Sequence, residues 1–100
     1  LEGIWSVPFS TIYISFNTEG LDVIGVSIDI DNFQAGFVMG AFSGTSVNFT
    51  KLKGTTEFSA VLERTSRNQA TVTVTTCTPE AGESCGVFEE GSVLELLKVF

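Results

Sequence analysis

The sequence predicts an all-β domain, an antiparallel meander of about seven or eight strands closed into a small barrel, and three observations lead there. Thr, Val, Ile and Phe crowd into short runs that alternate apolar and polar residues, the period-two pattern of a half-buried strand. Gly, Asn and Asp interrupt those runs about every 10 to 14 residues, a spacing that suits sequential hairpins. No segment sustains a 3.6-residue period long enough to give a helix that could cover a sheet.

Taken in order, Thr11 to Asn17 places Ile12, Ile14 and Phe16 on one face and Thr11, Tyr13 and Ser15 on the other. Asn17-Thr18-Glu19-Gly20 reads as a turn. Asp22 to Ile30 sets Ile24, Val26, Ile28 and Ile30 opposite Val23, Gly25, Ser27 and Asp29, and Asp31-Asn32 follows as a tight reversal. Phe33 to Phe42 is the next strand, with apolar groups on both faces. Val47 and Phe49 mark a strand after Ser43-Gly44-Thr45, and Phe58, Ala60 and Leu62 mark another after Lys53-Gly54. Thr65-Ser66-Arg67-Asn68 turns the chain again. Ala70, Val72 and Val74 then face one way, with Gln69, Thr71, Thr73 and Thr75 toward solvent. Gly86 to Glu89 is expected as a short strand, Glu90-Gly91 as a turn, and Ser92 to Phe100 as the last strand, although Ser92 to Val99 also has helical propensity.

Hairpins without long crossovers describe a meander. An open sheet of so many strands leaves two unpaired edges and a bare face, and closure removes both. A β-sandwich of the same strands is the alternative; it would carry longer Greek-key connections.

One hundred residues, 43% of them hydrophobic and nine of them Phe, suffice for one modest core and a single domain, residues 1 to 100. Only 17% are charged, with a net charge of −7. The five cations, Lys51, Lys53, Arg64, Arg67 and Lys98, form no run, which argues against nucleic acid as a partner and against attraction to an anionic membrane surface. No charged segment followed by an apolar one opens the chain, so Leu1 reads as a mature N-terminus, a domain boundary or, with Glu2, a cloning remnant. Cys77 and Cys85 lie in a loop rich in Pro, Gly and Glu. A local disulfide is expected, which points to a secreted or periplasmic protein; two free thiols in a cytoplasmic protein are the alternative.

Gly3-Ile4-Trp5 stands near the N-terminus, ahead of the meander strands and the turn glycines Gly20, Gly44 and Gly54. This pattern resembles the calycin group, the lipocalin and avidin barrels, whose first strand carries Gly-x-Trp with the Trp plugging one barrel end. The resemblance implies a barrel and an apolar cup. The chain departs from the group in its short length and in lacking both the second lipocalin motif and the tryptophan set of the avidin site.

The chain has no histidine, which removes Ser-His-Asp and Cys-His nucleophile systems and any imidazole ligand. Two cysteines alone make no zinc site, and no cofactor is expected. Asp29 and Asp31 share a strand face while Glu89 and Glu90 point apart. Acid–base work by such a pair needs a raised pKa, and at a hairpin tip solvated charge is the simpler reading. Calcium at Asp29, Asp31 and Asn32 lacks the Gly and distal Glu of a calcium loop. Gly36 and Gly40, on one strand face with Val38 and Phe42, allow sharp curvature or leave interior room. A membrane-spanning barrel is disfavoured, because Lys98 breaks the apolar alternation before Phe100 and the strands are short.

Two functions follow as expectations. One is a barrel that binds a small apolar ligand, with Trp5, Tyr13, Phe37, Met39, Phe49 and Phe58 as candidate lining residues; Trp5 also reads as a plain core side chain. The other is an interaction module that forms a homo-oligomer through strands apolar on both faces, notably Phe33 to Phe42 and Val93 to Val99. An enzyme using carboxylates and Tyr13 is a third reading, for which no residue pair has the required context.

Overall fold

The computed structural model describes residues 1–100, with eight strands and one short 3-10 turn. The strands are β1 (Gly3–Ser6), β2 (Ile12–Glu19), β3 (Asp22–Asp29), β4 (Gln34–Ser43), β5 (Ser46–Leu52), β6 (Thr55–Ser66), β7 (Gln69–Pro79) and β8 (Val93–Lys98). Each pairs antiparallel with the next, and β8 returns to β1 through Trp5↔Lys98 and Ser6↔Leu97, so the sheet is a closed barrel and not a sandwich. The seam continues past the strand ends, where the Val99 N–H donates to the Ile4 carbonyl at 2.7 Å. No helix is long and apolar enough to cross a membrane.

Three local expectations are corrected. The β2–β3 reversal is shorter than Asn17 to Gly20, because Thr18 and Glu19 still pair with Val23 and Asp22. Gly20, at φ +61°, and Leu21 make the turn; a positive φ is what glycine tolerates without a Cβ clash. Phe33 does not begin β4: residues 30–33 form the turn, and Phe33 sits in it at φ +56°. Gly86 to Phe88 is a 3-10 turn and not a strand. It has no partner to pair with, since β7 pairs directly with β8, and a disulfide from Cys85 to Cys77 holds it across the barrel end.

The barrel interior holds Trp5 from β1, Ile14 and Phe16 from β2, Val23 from β3, Val38 from β4, and Val47 and Phe49 from β5. Phe58, Ala60 and Leu62 from β6, Ala70, Val72 and Val74 from β7, and Leu96 from β8 complete it. An eight-stranded barrel is just wide enough for side chains to fill, and this decides which face of β3 turns inward. Gly25 sits where an added Cβ would come within 2.8 Å of Val38 and 2.9 Å of Phe16. The row of Ile24, Val26 and Ile28 cannot occupy that space and lies outside, each 43 to 50% exposed.

Curvature comes from bulges. The β4–β5 register shifts between Met39 and Gly40, and a Cβ on Gly40 would fall 2.1 Å from the Asn48 carbonyl oxygen. Gly40 therefore lets two backbones approach closely at the bend. The long β6–β7 pair shifts register three times, which curls it enough to complete the wall.

Candidate functional site

The two barrel ends are built differently. At the end formed by the starts of β1 and β3 and the finish of β6, Trp5 is completely buried and its indole N–H donates to the Leu1 carbonyl at 3.0 Å. The Arg64 guanidinium lies over its ring, folded there by bonds to the carbonyls of Ser66 (3.3 Å) and Arg67 (2.6 Å). Phe16 and Phe49 stack just inside, with centroids 5.9 Å apart. Side chains fill this half.

The opposite end is open. A cavity of about 1080 Å³ lies there, reached by Ile12, Leu52, Phe58 and Phe88 among its apolar residues and by Ser27, Asp29, Gln34, Thr55 and Thr56 among its polar ones. Local sequence makes this end wide. Ser27 and Gly36 face each other across the β3–β4 pair, and only the Ser27 hydroxyl stands near the place a Gly36 Cβ would take. Two small residues thus hollow the wall where Val23 and Gly40 fill or pinch it below.

One side of the mouth is the loop from Glu80 to Ser92, which the Cys77–Cys85 disulfide ties to the end of β7. It delivers Phe88, nearly buried, edge-on to Phe58 at 6.2 Å between centroids. The Glu80 N–H donates to the Gly54 carbonyl and the Gly91 N–H to the Val74 carbonyl, at 2.9 and 2.8 Å. These bonds keep the loop on the barrel.

Charge gathers at the rim. Asp29, Glu80 and Glu83 border the cavity with Lys51 and Lys53, and the Lys53 ammonium donates to the Ala35 carbonyl at 3.1 Å. Asp29 is already engaged: its carboxylate accepts from the Thr11 hydroxyl and, at 3.0 Å, from the Asp31 N–H. It fixes the turn, as an Asx-type residue does. The arrangement offers an apolar floor under a polar ring, which suits holding a molecule by burial and orienting it by hydrogen bonds.

The six residues expected to line a ligand space are dispersed. Phe58 lies at the cavity floor and Phe37 borders its rim from β4. Trp5 and Phe49 belong to the filled half. Tyr13 and Met39 are on the outer surface, because their neighbours Ile14 and Val38 take the inward positions. Ile12, Ser27, Leu52 and Phe88 were not anticipated; the signal for Phe88 is its place three residues beyond Cys85, just outside the segment the disulfide closes.

No known protein family matches this chain, nor does any curated protein or solved structure.

Proposed function

We propose that this chain is a small binding barrel that takes an apolar or amphipathic small molecule into the open cup, and that it acts by binding and not by catalysis. The observation that carries this reading is the cavity of about 1080 Å³ with Ile12, Leu52, Phe58 and Phe88 beneath a polar rim. Its size lies just above the upper end of small-molecule sites, roughly 1,000 Å³. The Gly3-Ile4-Trp5 resemblance to calycins agrees with a cup at the end away from the Trp, and the disulfide is compatible with a secreted or periplasmic setting.

A fluorescent apolar probe tests it. Uptake by the wild type should be saturable and should be lost in Ser27→Trp, which fills the cup from the β3 wall. Met39→Trp, on the outer surface, should leave uptake unchanged. Absence of saturable uptake, or equal loss in both variants, sinks the reading.

A second reading is self-association through the outer face of β2, β3 and β4. One rung there runs Ile4–Ser15–Val26–Phe37 and the next Ser6–Tyr13–Ile28–Ala35, with no charged residue in either. Ile4, Ile24, Val26, Ile28, Phe37 and Met39 are each 37 to 50% exposed, together an apolar patch on the order of 500 Å². With its rim, the patch approaches the ~800 Å² per partner of a stable dimer. Light scattering should give a dimer that Ile28→Lys disperses; a monomer at all micromolar concentrations removes this reading.

A further inference from the structure

Two phenylalanines sit where phenylalanine strains the fold and packs on almost nothing. Phe9, in the β1–β2 connection, has φ +63°, and Phe33, in the β3–β4 turn, has φ +56°. In this left-handed region the Cβ crowds the backbone, and glycine or asparagine is the usual occupant. Neither ring gains packing in return: Phe9 is 109% exposed and Phe33 82%. A scattered surface apolar residue needs no explanation, but two strained and exposed aromatic rings at the same end of one barrel do.

Both turns are pinned by hydrogen bonds. The Ser10 hydroxyl donates to the Val7 carbonyl at 2.6 Å and accepts from the Ile12 N–H at 3.2 Å, bracketing Phe9. The Asn32 side-chain oxygen accepts from the Gln34 N–H at 3.0 Å, bracketing Phe33. The Ile30 N–H donates to the Thr11 carbonyl at 3.0 Å and joins the two turns to each other. Ile30 itself is half exposed. Phe9, Ile30 and Phe33 thus form one projecting apolar group on the rim of the cup.

We propose that this rim docks on the surface of an electrically neutral lipid bilayer, with Phe9 and Phe33 inserted at the boundary between headgroups and acyl chains. Two observations select lipid over a second copy of the chain. Separate projecting rings need a matched pocket each on a protein, whereas a fluid interface yields to any shape. The same barrel end also carries Asp29, Asp31, Glu80 and Glu83 against Lys51 and Lys53, so two copies meeting mouth to mouth would oppose like charge. A zwitterionic surface presents no such field, and an anionic one would repel this rim. Docking in this pose turns the mouth of the cup toward the bilayer, though the docking itself does not depend on the cup holding a ligand.

Sedimentation of the full chain with phosphatidylcholine vesicles tests the proposal. Two buried rings and one isoleucine should give weak, reversible binding, comparable to a single acyl anchor at about 10⁴ M⁻¹. Phe9→Gly and Phe33→Gly should each lower the partition coefficient roughly tenfold or more, and adding phosphatidylserine at low salt should lower it further. Because glycine relieves the left-handed strain, neither variant should melt below the wild type, which separates lost docking from lost folding. No sedimentation with vesicles, or equal sedimentation of the double variant, overturns the proposal. So does a lipid-free dimer that the same two substitutions disperse, since the rings would then belong to a second copy.

Discussion

The Arg64 guanidinium carbon lies 5.6 Å from the centroid of the Trp5 ring. Trp5 is buried beneath it and Arg64 is exposed above it, so the pair closes one barrel end with a fully buried aromatic and a solvated cation. Truncating the two should therefore have unequal effects. Trp5→Ala should cost about 3–5 kcal/mol through the cavity it opens, and Arg64→Ala only about 0.5–1 kcal/mol. Urea denaturation with unchanged slopes is the measurement, and equal losses would contradict the assignment.

Gly40 and Gly36 lie on the same face of β4 but should respond differently to a methyl group. A Cβ at Gly40 meets the Asn48 backbone at 2.1 Å, and one at Gly36 meets only the Ser27 hydroxyl at 2.8 Å. The backbone cannot rotate away, and the hydroxyl can. Gly40→Ala should cost about 1–3 kcal/mol or more, while Gly36→Ala should stay close to wild type in thermal melts.

Removing the disulfide should loosen one segment more than the rest. The chain-entropy argument assigns a loop this short about 2.5 kcal/mol, and the Phe58–Phe88 contact depends on the same loop. In the Cys77→Ser, Cys85→Ser variant, amide exchange should quicken over residues 80–92 and remain slow in β2 and β3. Uniform quickening would mean that the loop and the barrel unfold together.

Glu2 supplies a pH-dependent contact. The Thr18 hydroxyl donates to its carboxylate at 2.8 Å and the Thr18 amide at 3.0 Å, and these two bonds hold its carboxyl below the ordinary value of 4.5. With the folded pKa below the unfolded one, the stabilisation is fully present above the ordinary value and is lost as pH falls through the lowered one. The difference in melting temperature between wild type and Glu2→Gln should thus be steady down to about pH 5 and fade with further acid. A difference that grows on acidification would reverse the sign and reject the contact.

By itself the sequence determined most of the strands and the order in which they pair, but not the 3-10 turn at Gly86–Phe88, where a strand was expected. Alternation marks each run, Gly20, Gly44 and Gly54 mark turns, and short connections leave each strand no near partner but the next one. The cysteine pairing was equally legible from the short separation of Cys77 and Cys85, although Cys77 proves to lie near the end of β7 and not in the loop expected for both. Only the closed barrel decided which face of β3 is inside. Periodicity gives two faces and no sign, and the more apolar row, Ile24, Val26 and Ile28, lost to Val23 and Gly25 because Phe16 and Val38 already fill the interior beside β3 and leave room there for small side chains alone. The same choice on β2 and β4 put Tyr13 and Met39 outside. The cup likewise belongs to the tertiary structure: Ile12, Ser27, Leu52 and Phe88 are far apart along the chain, and closure with the disulfide loop brings them together.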